Sequence, residues 1–228
     1  MQAKRIALLL LAVFLLACGP HATAGDDAPL ARASAASNAL ATIMQAPDRE
    51  LPADMLNNAY AVAVLPHVVK AGLVVAGRYG KGLVSIKQHG QWTNPSFVRL
   101  SGGSIGVQAG VSSTDLVLIF RSQRGVDSIV NGTFLLGTDL TVAAGPVGRN
   151  AQASTNAQLK AEIYAYSRAR GLFAGFALQG SRLRIDHEAN RAVYGPAATA
   201  RSIFAATTAT VPAAVAGFRA RLEEYTTR

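Results

Sequence analysis

Ser104-Ile-Gly-Val-Gln-Ala-Gly-Val-Ser112 decides the fold class. Ile105, Val107, Ala109 and Val111 alternate with Gly106, Gln108 and Gly110, a period of two that belongs to a β-strand rather than a helix. Glycines at alternate positions mark a face that another backbone approaches closely. The stretches on either side read the same way. Ser96–Leu100 and Leu116–Phe120 are short apolar runs. Upstream, Tyr60–Leu65 is an apolar strand that Pro66 should stop. Gly72–Tyr79 and Gly82–Lys87 are two β-rich runs, and Gly80-Lys81 between them predicts a tight hairpin. Gln88–Asn94 reads as a polar loop around Trp92.

Downstream, Val126, Ile129 and Val130 give Ser122–Val130 a helical spacing, and Asn131-Gly132 turns the chain. Leu140–Ala144, Glu162–Ser167, Leu172–Gln179 and Arg182–Asp186 read as further strands, and Asp186-His187-Glu188 as a polar loop. Helical patterning stands at the two ends. Leu30–Gln45 places Leu40, Ile43 and Met44 on one face, and Pro52 opens a short helix through Asn58. At the other end Val211, Val215, Phe218, Leu222 and Tyr225 form one stripe that predicts a helix packed on the sheet. The expected fold is α+β. Its core is a strongly twisted, mostly antiparallel sheet or barrel-like structure, flanked by N- and C-terminal helices.

Composition narrows the function classes. Of 228 residues, 50% are hydrophobic and 15% charged, which excludes general disorder. A single Cys excludes an internal disulfide framework and a multi-Cys metal site. Lys and Arg number 22 against 13 Asp and Glu, a formal net charge of +9, and most of the excess lies between Tyr60 and Gly195. A basic surface favours anionic partners such as lipid headgroups or phosphate-bearing ligands. Nucleic acid is not expected, because aromatics are not interleaved with the charges.

Residues 1–17 read as a signal peptide. Lys4 and Arg5 precede the unbroken apolar run Ile6–Ala17, which is too short to span a bilayer. The run ends in Leu15-Leu16-Ala17-Cys18-Gly19, which resembles a bacterial lipobox; that resemblance implies cleavage before Cys18 and a lipid on its thiol. By the same resemblance to bacterial lipoproteins, Gly19 rather than Asp after the Cys implies the periplasmic face of the outer membrane. Ala22-Thr23-Ala24 offers a rival cleavage that would release a soluble protein from Gly25. A buried N-terminal helix with a chance Cys is a further reading. Residues 18–29 then form a tether and 30–58 an N-terminal helical segment.

The enzyme signals are weak. Gly102-Gly103-Ser104-Ile105-Gly106 matches G-x-S-x-G, with Asp115, Asp127 or Asp139 and then His187 in α/β-hydrolase order. That motif requires a sharp strand-to-helix turn, and the alternation after Ser104 predicts a strand. Gly80-Lys81 lacks the flanking residues of a phosphate loop, and the four His are scattered without metal-ligand spacing. No catalytic site, metal or cofactor is expected. The candidate site residues are basic: Lys70, Arg78 and Lys81 around the first hairpin, then Arg149, Arg168, Arg170, Arg182 and Arg184. Arg182 and Arg184, two apart on one strand, share a face and can hold phosphate oxygens bidentately.

A series of blocks then carries a family resemblance. They are Lys70-Ala-Gly-Leu-Val-Val-Ala-Gly-Arg-Tyr-Gly-Lys-Gly82, Gly106-Val-Gln-Ala-Gly110, Thr114-Asp-Leu-Val117 and Ala143-Ala-Gly-Pro-Val-Gly-Arg-Asn150. Ile163-Tyr-Ala-Tyr-Ser-Arg168, Gly171-Leu-Phe-Ala-Gly175, Leu178-Gln-Gly-Ser181 and Asn190-Arg-Ala-Val-Tyr-Gly195 follow in order. Together they resemble the SYLF domain family, found in bacterial lipoproteins and in eukaryotic actin- and phosphoinositide-associated proteins. The resemblance implies a non-enzymatic lipid-binding domain over 59–204, followed by a C-terminal helix in 205–228, with anionic membrane lipids as ligands. Gln179 departs from the Glu of many relatives, and Tyr79 and Lys81 replace smaller residues. The combined expectation is an envelope lipoprotein that binds anionic lipid through a basic face. A structural module that binds a protein or the cell wall is the alternative, and a hydrolase using Ser104 the remote one.

Overall fold

The computed structural model describes residues 28–45, 51–72, 75–105, 110–146, 161–168, 178–206 and 210–226. Its centre is one sheet of nine strands: β1 Ala61–Gly72, β2 Val75–Gln88, β3 Gln91–Trp92, β4 Ser96–Ile105, β5 Gly110–Phe120, β6 Thr133–Leu135, β7 Val142–Ala144, β8 Ile163–Arg168 and β9 Arg182–Ile185. The order is β6-β9-β4-β2-β1-β5-β8-β7, with β3 paired to β2. Every pairing is antiparallel except β7 with β8. The sheet curls into a half-barrel, and the fold is α+β, as expected. The single strand read over Ser104–Ser112 is not one element: β4 ends at Ile105 and β5 begins at Gly110, and residues 106–109 lie outside the described residues.

Strand alternation builds two cores, one on each face. Val62, Val64, Leu83, Phe97, Val117, Ile119, Tyr164 and Tyr166 point to one side. There they meet α1 (Ala28–Met44), α2 (Ala53–Asn57), α4 (His187–Tyr194) and α6 (Ala213–Thr226). Ala61, Ala63, Leu65, Val84, Val98, Leu100, Leu116, Leu118 and Phe120 point to the other, against α3 (Gln123–Val130) and α5 (Ala200–Ala205). The α6 stripe Val215, Phe218, Leu222 and Tyr225 is buried throughout. Each such side chain contributes about 1.5–3 kcal/mol. Ala33 and Ala36 on α1 are fully buried, and such small side chains let the backbones of α1 and α6 approach closely.

Polar clamps fix the helices to β4. Asn190 accepts the Phe97 amide at 2.8 Å and donates to Ser96 Oγ at 2.9 Å. The Tyr194 hydroxyl donates to the Pro95 carbonyl, and Arg219 donates to Asn94 Oδ1.

Several expectations need correcting. Pro66 does not stop the first strand. β1 continues to Gly72 through a bulge between Leu65 and Val68, where the missing N–H of a proline breaks no ladder bond. His67 at the bulge has φ 50°, and its amide donates to Asp115 Oδ1 at 2.9 Å. Gly80-Lys81 is not a hairpin; β2 runs straight through it. The glycines there admit the bulge: a Cβ on Gly80 would lie 2.7 Å from Val68 Cγ2, and one on Gly82 would lie 2.1 Å from the Val64 carbonyl oxygen. The tight turn lies instead at His89-Gly90, both with positive φ, which joins β2 to β3 where a polar loop is expected. Asp186-His187-Glu188 is no loop either: Asp186 caps α4, accepting the Ala189 amide. Of the strand expected over Leu172–Gln179, residues 172–177 lie outside the described residues, while Gln179 stands in a turn.

Candidate functional site

The four long strands outrun the helix layer. On the face that carries α1, α2, α4 and α6, burial ends beyond Leu83, Phe97 and Val117. There Lys81 pairs with Arg99 in register, and Arg99 with Arg184. Three cationic side chains thus stand side by side on β2, β4 and β9, about 4.8 Å apart per strand. One step outward Tyr79 pairs with Ser101, and Ser101 with Arg182. Arg182 and Arg184 are exposed and Lys81 half-buried. Tyr79, Val69 and Val111, among the few large apolar side chains left exposed, share this face.

Like charges in neighbouring register positions repel. One carboxylate relieves the row. Asp186, only 2% exposed, receives a short hydrogen bond from Arg99 Nη2 and another from Arg32 Nη1 of α1 at 3.2 Å. Burial pulls the Asp186 pKa upward. The hydrogen bonds from Arg99 and the Ala189 amide, with the charges of Arg99 and Arg32, outweigh it and hold the carboxyl below its usual range. Lys81, Arg182 and Arg184 take part in no ion pair among the described residues. The ladder therefore retains a net positive charge directed at solvent, arranged to meet an oxyanion with more than one donor.

The other basic residues fall elsewhere. Lys70 and Arg78 pair with each other on the opposite face. Arg78 is 6% exposed, and its Nη1 donates to Ser181 Oγ at 2.7 Å. Burial lowers its pKa without removing the charge. It holds the turn before β9 against β2, and Gly102 makes room, since a Cβ there would lie 2.6 Å from Ser181 Oγ. Arg78 thus faces Ser181 instead of joining Lys81, because successive residues of a strand point to opposite faces. Arg168 stands opposite Asp115 in the β5–β8 pairing. Arg149, Arg170 and Cys18 lie outside the described residues. Arg99, central to the ladder, is a residue that sequence reasoning missed.

No hydrolase site forms around Ser104. Its backbone pairs with Ala76 inside β4, not at a strand-to-helix elbow. His187 follows β9, whose Ile185 pairs with Val98, so it stands roughly 20 Å along β4 from Ser104. Among the described residues no three His, Cys, Asp or Glu gather in a way that could hold a metal ion, and no helix is long and apolar enough to cross a membrane.

The family model described as "Ysc84: Las17-binding protein actin regulator" matches residues 101–225, more than half of the chain. The chain belongs to the Ysc84/SYLF family. LAS seventeen-binding protein 3 of Saccharomyces cerevisiae is 38% identical over 160 residues, 68% of this chain and 35% of the yeast protein. The SH3 domain-containing YSC84-like protein 1 of Bos taurus is 38% identical over 155 residues, 67% of this chain and 45% of the bovine one. Protein YSC84 of Saccharomyces cerevisiae is 36% identical over 171 residues. The chain thus matches under half the length of these curated relatives, whose names describe binding and domain content rather than catalysis. Several residues of the Ysc84/SYLF resemblance have visible structural work: Gly80 and Gly82 seat the β1 bulge, while Asn190 and Tyr194 clamp α4 to β4.

Proposed function

We propose that this chain is a non-enzymatic binding module that takes anionic lipid headgroups on the ladder Lys81–Arg99–Arg184 and the adjacent Arg182, held at the bacterial envelope by a lipid on Cys18. The observation that carries the reading is the register: three cations on adjacent strands with a single carboxylate among them. Exposed Tyr79, Val69 and Val111 on the same face support an amphiphilic ligand, whose headgroup meets the cations while apolar groups meet these side chains. Each Lys or Arg brought to an anionic leaflet contributes about 1 kcal/mol. An acyl anchor that already holds the domain at the surface makes such modest contacts sufficient. Tyr79 and Lys81 both add to this face.

The test is flotation with vesicles, using the chain as Cys18→Ser so that the face alone is measured. Phosphatidylglycerol vesicles should retain it, phosphatidylcholine vesicles should not, and salt should weaken the retention. Equal retention by both would refute the reading. A second reading is favoured by the relatives' printed names, which speak of binding a protein: the same ladder would take an acidic protein segment. Capture of one acidic envelope protein, lost on reversing the charge of Arg184 and without vesicle binding, would select it.

A further inference from the structure

At the opposite end of the same strands lies a separate cleft of about 530 Å³. Lys87 of β2 and Arg121, directly after β5, flank Tyr60 across the start of β1: the Tyr60 amide bonds to the Phe120 carbonyl and the Lys87 amide to the Tyr60 carbonyl. The alternation that sends Leu83 and Ile119 to the helix side sends Lys87 and Arg121 there too. The end of α2, at Asn57 and Asn58, walls one side, and Gly90 of the tight turn closes the rim. Lys87 lies six residues from Lys81 on β2, about 20 Å along the strand, so this cleft is distinct from the ladder.

The partners of the two cations are the telling feature. Lys87 Nζ donates to the Asn57 carbonyl at 2.9 Å and stands 5.3 Å from the centroid of the Trp92 ring. Arg121 Nη1 donates to Met55 Sδ at 3.5 Å, a weak acceptor, and its charge acts on the buried Tyr166 hydroxyl, which is no anion. Among the described residues neither cation has a carboxylate partner. Desolvation lowers the pKa of Lys87, as expected of a cation whose charge is under-compensated. Two such cations lining one cleft, with exposed Tyr60 between them, form a site that a compact dianion would complete.

We propose that Lys87 and Arg121 form a phosphate-monoester site, with the guanidinium fork and the ammonium sharing one phosphoryl group and Tyr60 lining its mouth. The phosphoryl group belongs either to a soluble phosphate ester or to a monoester lipid headgroup. The test is titration of the full chain with inorganic phosphate and with glycerol phosphate, followed by the side-chain ¹⁵N signals of Lys87 and Arg121. Both signals should shift together and saturate. Lys87→Gln and Arg121→Gln, which keep the stems against Trp92 and Met55, should each weaken binding about tenfold or more. Arg191→Gln on α4 should leave binding unchanged. Phosphatidic acid vesicles that displace the phosphate identify the lipid source; vesicles that do not identify the soluble one; either supports the site. Absence of saturable shifts at millimolar phosphate, or shifts that survive in both Gln variants, overturns it.

Discussion

Replacing Asp186 with Asn should destabilise this domain, because it removes the buried charge that ties α1 to β4. The carboxylate is 2% exposed and joins Arg32 of α1 to Arg99 of β4. Asn keeps the cap on α4, because its side-chain oxygen still accepts the Ala189 amide, but the charge goes and an amide NH2 that cannot accept replaces the oxygen facing Arg32 Nη1. Taking one partner from a fully buried pair costs about 3–5 kcal/mol. Here the Arg32 and Arg99 side chains are 12% and 25% exposed and recover some hydration, which brings the loss to about 2–3 kcal/mol. Urea unfolding at neutral pH reads this directly, as a lower midpoint at unchanged slope. The pH dependence supplies an independent check. The pKa of Asp186 is depressed in the folded state, so its contribution is complete above the unfolded value of about 4 and is lost as pH falls through the folded value. The wild-type and Asp186→Asn stabilities should therefore converge in acid. A loss under about 0.5 kcal/mol at neutral pH, or a gap that does not narrow as acid protonates Asp186, would refute the clamp.

Other exchanges separate the structural roles. Gly82→Ala, whose new methyl would strike the Val64 carbonyl, should lower stability by about 3 kcal/mol, roughly 10 °C in a thermal melt. Gly77→Ala in the same strand meets open space and should stay within about 0.5 kcal/mol. Phe218→Ala should cost about 4 kcal/mol in urea unfolding, because the ring is fully buried between helix and sheet. Thr199→Ala removes the capping box of α5 and should cost about 1 kcal/mol by the same assay. A fluorophosphonate probe should leave Ser104 unlabelled, since that residue stands inside a strand and far from His187.

The sheet was legible because strands buried on both faces read as continuous apolar runs, as at 61–65 and 116–120, while burial on one face writes a period of two into Arg182–Ile185. The terminal helices were legible for the same reason at a period of 3.6, with Val215, Phe218, Leu222 and Tyr225 all buried. Glycine misled at Gly80-Lys81. A glycine serves a turn or a close approach equally well, and which applies depends on the β1 bulge across the ladder. The start of α4 carried a usable signal, Asp186 followed by Glu188 in the first turn, read as a loop because the helix is short. The site was legible in part. Arg182 and Arg184 share a face by local alternation alone. Their meeting with Arg99 and Lys81 is set by register between strands distant in the chain, which no local pattern encodes. The same holds for Lys87 and Arg121.

The cation ladder is tested most directly by titrating the chain with short-chain phosphatidylglycerol and following the guanidinium ¹⁵N signals. The signals of Arg99, Arg182 and Arg184 should move together and saturate, and those of Arg191 and Arg201 should remain still. Shifts spread evenly over all arginines, or confined to residues off the ladder, would contradict a binding face built by the β2–β4–β9 register.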